Sequence, residues 1–289
     1  MSRKIIFLGN DGNLIKIIAE LQNIELIGVV ADEVFPVSEK YFGSSYSFGK
    51  QHGVLVISQN DFNNKYEHYL NGPFKEADIL FLQGYRYRIK AAVLEKKRLK
   101  VINFHQSLLP QYSGRHPLNW AIIKGEKVTG ITFHYAHNDF DTGDVIIQLK
   151  IRITSLDTIV SLYNKTIRVA SKYIRRVFSL INDDSFIPKP QNVAERTYFP
   201  PRTPQDGEIL STDKYIEIRN KIRALIFPYP GAFVLFKGKK LIIEGVRPLR
   251  NEIKYRRIRF VEQVDNHLII RAHDKLLMVT KFRSPIQEQ

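Results

Sequence analysis

The strongest constraint on this chain is a unit that recurs through its first hundred residues: a short continuous apolar run, a break, then an amphipathic stretch. Lys4-Ile5-Ile6-Phe7-Leu8 is the first such run, the pattern of a strand covered on both faces. Gly9-Asn10-Asp11-Gly12 breaks it, and Leu14, Ile17, Ile18 and Leu21 follow at helical spacing. Ile24–Val30, Val54–Ile57, Asp78–Leu82 and Leu99–Phe104 repeat the strand pattern. Strands separated by helical patterns predict an α/β fold with a Rossmann-like, mostly parallel sheet. The first break is not Gly-x-Gly-x-x-Gly, and no acidic residue stands where a ribose would need it, which argues against a dinucleotide site.

Gly130–Tyr135 and Val145–Ile153 read as strands around the loop Asp139–Asp144. A long helix is expected over Asp157–Ile181, capped by Ser155, with an apolar stripe of Ile159, Leu162, Tyr163, Val169, Ala170, Tyr173, Ile174 and Val177. Arg168, Lys172, Arg175 and Arg176 fall on its solvated face. From Asn182 to Glu208 the turn chemistry of Pro, Asn, Asp and Arg marks an extended linker. A helix over Asp213–Phe227 follows, then the β-patterned segments Phe233–Val246, Ile258–Val264, His267–Ala272 and Leu276–Lys281, which suit a small, partly open, OB-like β-barrel. The expected division is therefore an α/β domain over 1–181, a linker over 182–208 that contributes to the site, and a helix with a small β domain over 209–289.

Composition removes several function classes. With no cysteine there is no disulfide framework, thiol nucleophile or Cys-based zinc site. No apolar run approaches the roughly 18 residues of a membrane span, and the N-terminus enters a strand without a signal-peptide pattern. A cytoplasmic protein without membrane association is expected. The formal net charge of +15, of which residues 201–289 hold +8, points to a phosphate-bearing partner: nucleic acid, an anionic membrane or a small phosphorylated ligand.

In open α/β sheets ligands bind at the carboxyl ends of strands, and Asn103 and His105 fall at such an end. Their period-two spacing sends an amide and an imidazole to one side. Asp139, Asp141 and Asp144 follow in a loop after the next strand, close enough in such a fold to offer His105 a carboxylate. That set suits addition to a carbonyl: the amide and imidazolium stabilise the oxyanion, while the carboxylate orients the imidazole and relays protons. No nucleophilic side chain is needed if the substrate brings an amine. Ser107 lacks the Gly-x-Ser-x-Gly surroundings of a nucleophile.

Asn103-x-His105-x-Ser107-Leu108-Leu109-Pro110, Tyr112-x-Gly114-Arg115-x-Pro117, Thr129-Gly130-x-Thr132-x-His134 and Asp141-x-Gly143 together resemble the signature of the folate-dependent formyltransferases. The resemblance implies N10-formyltetrahydrofolate as donor, an amine acceptor, no metal, and Asn103, His105 and Asp141 as the catalytic set. It implies that the pterin lies against Tyr87 and Ile89, and against Ala136, His137 and Asn138. Tyr198–Gly207 and Arg223–Ala232 resemble the methionyl-tRNA and nucleotide-sugar branches, which share an appended β domain. The tRNA branch carries a basic insertion after the second strand; here Ala31–Lys40 is net acidic, without Arg or Gly. Tyr41–Ser45, Arg115–Trp120 and Tyr198–Gly207 are similar to the nucleotide-sugar N-formyltransferases.

That branch implies a nucleotide-sugar substrate rather than nucleic acid, with Arg115 and Arg202 near the sugar and diphosphate and Gly9 and Asn10 on the sugar side. It also implies pairing as a homodimer. Within it the likeness runs to enzymes formylating dTDP-4-amino-4,6-dideoxyglucose for O-antigen and lipopolysaccharide synthesis. Methionyl-tRNA formyltransferase, and an RNA-binding protein with the α/β domain as scaffold, stay open as alternatives.

Overall fold

The computed structural model describes residues 2–34, 36–250, 257–264 and 266–285. In chain order the elements are β1 (Arg3–Leu8), α1 (Asn13–Ala19), β2 (Ile24–Val30), α2 (Pro36–Phe42), α3 (Ser45–Gln51), β3 (Leu55–Ile57), α4 (Gln59–Asn71), β4 (Ile79–Leu82), α5 (Ala91–Leu94), β5 (Lys100–His105) and β6 (Ser113–Gly114). There follow α6 (Pro117–Ile123), β7 (Val128–Tyr135), β8 (Val145–Arg152), α7 (Ile159–Ile181), β9 (Tyr198–Phe199), α8 (Tyr215–Ala224), β10 (Ala232–Phe236), β11 (Lys239–Pro248), β12 (Val261–Val264), β13 (His267–Arg271) and β14 (Leu276–Arg283). They form two compact units: Met1–Gly114 with Val128–Arg152 and Asn164–Phe199, and Arg115–Lys127 with Ile153–Tyr163 and Pro200–Gln289.

The first unit holds a seven-stranded sheet of order β3-β2-β1-β4-β5-β7-β8. The strands β1 to β5 are parallel, and β7 and β8 turn antiparallel at one edge. Alternation along the strands sorts the two faces. Ile6, Leu80 and Val101 lie in register and join Leu8, Leu82, Phe62 and Phe74 in one core cluster. Phe7 and Phe81, also in register, stack at 5.9 Å, and Phe81 meets Phe178 of α7 at 6.1 Å. Each face is thus apolar, which is why these strands read as continuous hydrophobic runs. The order reverses between β1 and β4, so the carboxyl ends of those strands form the switch point at which such sheets take ligands.

The α7 helix begins at Ile159 rather than Asp157. Its first turn is tied by Thr158, whose Oγ1 accepts from Ser161 N at 3.3 Å, while Asp157 Oδ2 is occupied by Thr154 N at 2.7 Å. Thr158, not Ser155, caps it. Tyr173, placed in the apolar stripe by periodicity, is 40% exposed; Ala170, Ile174 and Val177 take the buried positions, and the four basic residues are exposed as expected.

In the second unit, β10-β11-β14-β13-β12 form an antiparallel sheet that curls so that β12 approaches β10. The run Phe233–Val246 is a hairpin and not one strand, because Lys237 and Gly238 take φ of 49° and 72°, the left-handed pair of a two-residue turn. Residues 251–256 and 286–289 of the expected β domain, and Phe35 in the acidic loop after β2, lie outside the described residues.

Candidate active site

Asn103 stands opposite His134 in the β5–β7 ladder, so two polar side chains face each other at the carboxyl end of β5. Asp141 enters from the loop after β7, held at φ 59°, a left-handed conformation that Asp tolerates better than most residues. Asp141 Oδ1 lies 3.0 Å from Asn103 Nδ2, 3.4 Å from His105 Nδ1 and 3.7 Å from His134 Nε2. Its Oδ2 accepts from Gly114 N at 2.8 Å. All of this is enclosed: Asp141, His105 and His134 are 9%, 7% and 1% exposed.

The partners decide the protons. His134 Nδ1 lies 2.8 Å from the carbonyl oxygen of Tyr135, an acceptor only, so Nδ1 is assigned the hydrogen and Nε2 accepts from Asn103 Nδ2 at 3.0 Å. The Asn103 amide therefore spends both hydrogens inside the protein, on His134 and Asp141, instead of presenting one freely as the spacing suggested. His105 Nε2 lies 2.9 Å from the Tyr112 carbonyl oxygen, and its other nitrogen faces Asp141. Two acceptors flank this ring, an arrangement that a ring carrying hydrogens on both nitrogens satisfies. Burial opposes ionisation of Asp141, but the charge on His105 and the Gly114 N–H outweigh it and hold the carboxyl well below the usual range. The ensemble is a fixed negative charge clamped beside a histidine, suited to holding and moving a proton beside a reacting carbonyl.

The support for this cluster comes largely from the segment read as a linker. Strand β9 pairs in parallel with β6, and a Cβ on Gly114 (φ 97°) would stand 2.2 Å from Phe199 O; only glycine fits. Gln191 Nε2 donates to the carbonyl oxygens of Asp141 and Gly143 at 2.9 and 2.6 Å. Arg196 binds Ser113 Oγ at 3.0 Å and the Phe140 carbonyl at 2.9 Å. Sequence reasoning missed His134, Gln191 and Arg196 as site residues. His134 had a signal, being opposite Asn103 in any β5–β7 pairing; the other two had none. Ser107 is fully buried and donates to Gln111 O at 2.7 Å.

Ala136, His137 and Asn138 line a cleft of about 770 Å³, with Val101, Tyr135 and Thr142 among its other walls. That volume is in the range of small-molecule sites. Ile89 is buried in the cluster against which Ala136 packs, while Tyr87 does not line the cleft and donates its hydroxyl to Asn60 Oδ1 at 3.3 Å. Asn10 Oδ1 accepts from Asp32 N at 2.9 Å and Gln59 Nε2 at 2.6 Å, so its oxygen holds the turn after β2. Gly9 (φ 128°) is pressed against Gln83, whose carbonyl oxygen would be 1.8 Å from a Cβ.

Arg115 and Arg202 both belong to the second unit and flank His116. The His116 Nδ1 accepts from the Arg202 amide at 3.3 Å. Although part of its ring stays exposed, surrounding protein and the charges of Arg202 and Arg115 push it down to about 4, so it accepts as a neutral ring. Among the described residues, Arg202 Nε is buried without a hydrogen-bond partner, and burial lowers the guanidinium below its usual value despite Tyr229 and Asp206 nearby. Among the described residues no group of three or more His, Cys, Asp or Glu is placed to hold a metal ion.

Comparison with known proteins places this geometry. Residues 3–178 match the family described as formyl transferase, and residues 202–288 match the formyl transferase C-terminal domain. Among solved structures, HypX from Aquifex aeolicus in complex with tetrahydrofolic acid is 18% identical, with a TM-score of 0.63 over 99% of this chain and 45% of that one. This chain thus spans a little under half the length of HypX. An N-formyltransferase from Helicobacter canadensis in complex with folinic acid and dTDP-3-aminofucose is 20% identical, with a TM-score of 0.69 over 98% of this chain and 100% of the other. Methionyl-tRNA formyltransferase from Clostridium thermocellum is 18% identical, with a TM-score of 0.56 over 96% and 99%. At these identities the structures share the fold.

Proposed function

The chain belongs to the formyl transferase family, and from that premise we propose that it transfers the formyl group of N10-formyltetrahydrofolate to the amine of a nucleotide-linked amino sugar. The observation that carries the reading is the enclosed Asn103–His105–Asp141 cluster at the carboxyl end of β5. N10-formyltetrahydrofolate supplies the activated one-carbon unit. The cleft beside Ala136, His137 and Asn138 offers its ring the apolar walls of Ala91, Leu94, Leu99 and Val101. As the neutral amine adds to the formyl carbon, Asn103 turns the hydrogen that rests on Asp141 toward the oxygen gathering charge. The positive charge on the His105 ring favours the charge gathering there, and Asp141 keeps Gly114 and the His105 ring in place. The new C–N bond forms and the bond to folate nitrogen breaks; the His105 imidazolium gives one ring hydrogen to that nitrogen and takes back the proton that the amine loses. This chemistry needs no metal.

Two features favour the sugar class over tRNA. The segment after β2 is acidic, with Asp32 paired to Arg86, where the tRNA branch is basic. In the second unit, the buried unpartnered Nε of Arg202 beside exposed Arg115 offers the planar donor fork that a diphosphate takes. The dTDP-linked amino sugar bound to the Helicobacter canadensis relative belongs to the same class. Our specific assignment is dTDP-4-amino-4,6-dideoxyglucose, in cytoplasmic O-antigen sugar synthesis, with the protein acting as a homodimer. The test is to supply N10-formyltetrahydrofolate with that sugar, its 3-amino isomer or aminoacylated initiator tRNA, and to follow tetrahydrofolate release by absorbance. Release with an amino sugar supports the reading; release only with charged tRNA overturns it.

A further inference from the structure

Of the glutamines around the carboxyl edge of the main sheet, Gln59, Gln106 and Gln148 are used by the fold. Gln59, 1% exposed, donates to Asn10 Oδ1 and accepts from Arg86 N at 3.0 Å. Gln106 donates to Thr166 Oγ1 at 2.6 Å, and Gln148 to Leu109 O at 2.7 Å. Gln83 differs. It is 3% exposed, yet among the described residues neither its Oε1 nor its Nε2 has a hydrogen-bond partner. A buried, wholly unpaired amide is costly to retain, and burial of a glutamine that the fold does not use points to a ligand that does.

Its position names the ligand. Gln83 directly follows Leu82, which pairs with Asn103 on one side and Leu8 on the other. The residue thus stands one step beyond the reacting rung, at the switch point between β1 and β4, against Gly9. The Ala136–Asn138 cleft is lined also by Ala91, Leu94, Leu99 and Val101, and neither Gln83 nor Gly9 is among its walls. With folate in that cleft, the substrate left to meet Gln83 beside Gly9 is the acceptor.

We propose that Gln83 is a specificity-determining residue that hydrogen-bonds the acceptor sugar, its amide donating to one ring hydroxyl or amine and accepting from another. The proposal rests on the amino-sugar reading above. A site built to hydrogen-bond a substrate discriminates strongly when the bond is lost, and an apolar replacement of similar shape removes the amide without a cavity.

The experiment is Gln83→Met, assayed for steady-state kinetics and melting temperature. It is expected to raise KM for dTDP-4-amino-4,6-dideoxyglucose about tenfold or more, to leave KM for N10-formyltetrahydrofolate unchanged, and to melt at or above the wild-type temperature. An unchanged acceptor KM overturns the proposal. A fall in melting temperature shows that the amide is bonded within the fold and also overturns it; if the wild-type protein formylates no amino sugar, the functional reading fails and takes the proposal with it, an outcome distinct from an active wild type with an unchanged acceptor KM in the variant.

Discussion

Replacing Asp141 by Asn removes one charge from a side chain of nearly the same shape. Three donors converge on its two oxygens: Asn103 at 3.0 Å and His105 at 3.4 Å on Oδ1, and Gly114 at 2.8 Å on Oδ2. An amide there must turn its NH2 toward one of them. The least costly orientation opposes the Gly114 N–H and leaves a backbone donor unpaired, a destabilisation of about 1–3 kcal/mol. The effect on turnover is larger. At 3.4 Å and an effective dielectric constant of about 20, a carboxylate and an imidazolium attract by about 5 kcal/mol. Desolvation of the pair offsets part of this, so a barrier increase of about 3 kcal/mol is expected. At about 1.4 kcal/mol per decade, kcat falls about 100-fold. Asp141 acts on the His105 ring rather than on either substrate, so KM for either substrate stays within about threefold. The assay is tetrahydrofolate release at saturating substrates near neutral pH, with circular dichroism to show that the fold is retained. Turnover within about tenfold of wild type in a folded Asp141→Asn protein would refute the proton-relay argument.

The same carboxylate carries a pH signature. Its pKa is lowered in the folded protein, so its stabilisation is present above the unfolded value near 4 and is lost as pH falls further; the difference in urea midpoint between wild type and Asp141→Asn is expected to shrink from neutral pH toward pH ~3. For His134→Leu, loss of the acceptor that orients Asn103 is worth about 1–2 kcal/mol, a 5- to 30-fold fall in kcat that Gln at the same position should partly restore; equal rates for all three proteins would make His134 a packing residue only. Gly114→Ala forces a Cβ against Phe199 O and is expected to cost about 2–3 kcal/mol, read as a fall of roughly 5–10 °C in melting temperature. Arg202→Ala should raise KM for the nucleotide sugar about tenfold or more with kcat little changed, and unchanged kinetics would remove Arg202 from nucleotide recognition.

The apolar runs sufficed to predict a doubly covered sheet, because burial on both faces leaves no other pattern. They also placed Asn103 and His105 together at a strand's carboxyl end, since that follows from a period of two and the direction of the chain. Local chemistry set other features too, such as the basic face of α7. Tyr173 shows where periodicity stops: a helical stripe leaves neighbouring positions such as 173 and 174 ambiguous, and packing alone decides which is buried. The Lys237–Gly238 turn was written in the sequence but hidden inside a longer β pattern.

Tertiary structure decided the proton assignments and the state of each donor. Nothing along the chain says that Tyr112 O and Tyr135 O would meet the His105 and His134 rings, or that Asn103 would spend both hydrogens on its neighbours. Those facts depend on backbone carbonyls brought in by loops, and on β9, Gln191 and Arg196 returning from a segment whose composition signals only turns. The same holds for Gln83 and Gln59. They are the same residue type at the same sheet edge, and only the packed structure makes one a structural strut and leaves the other's amide unspent.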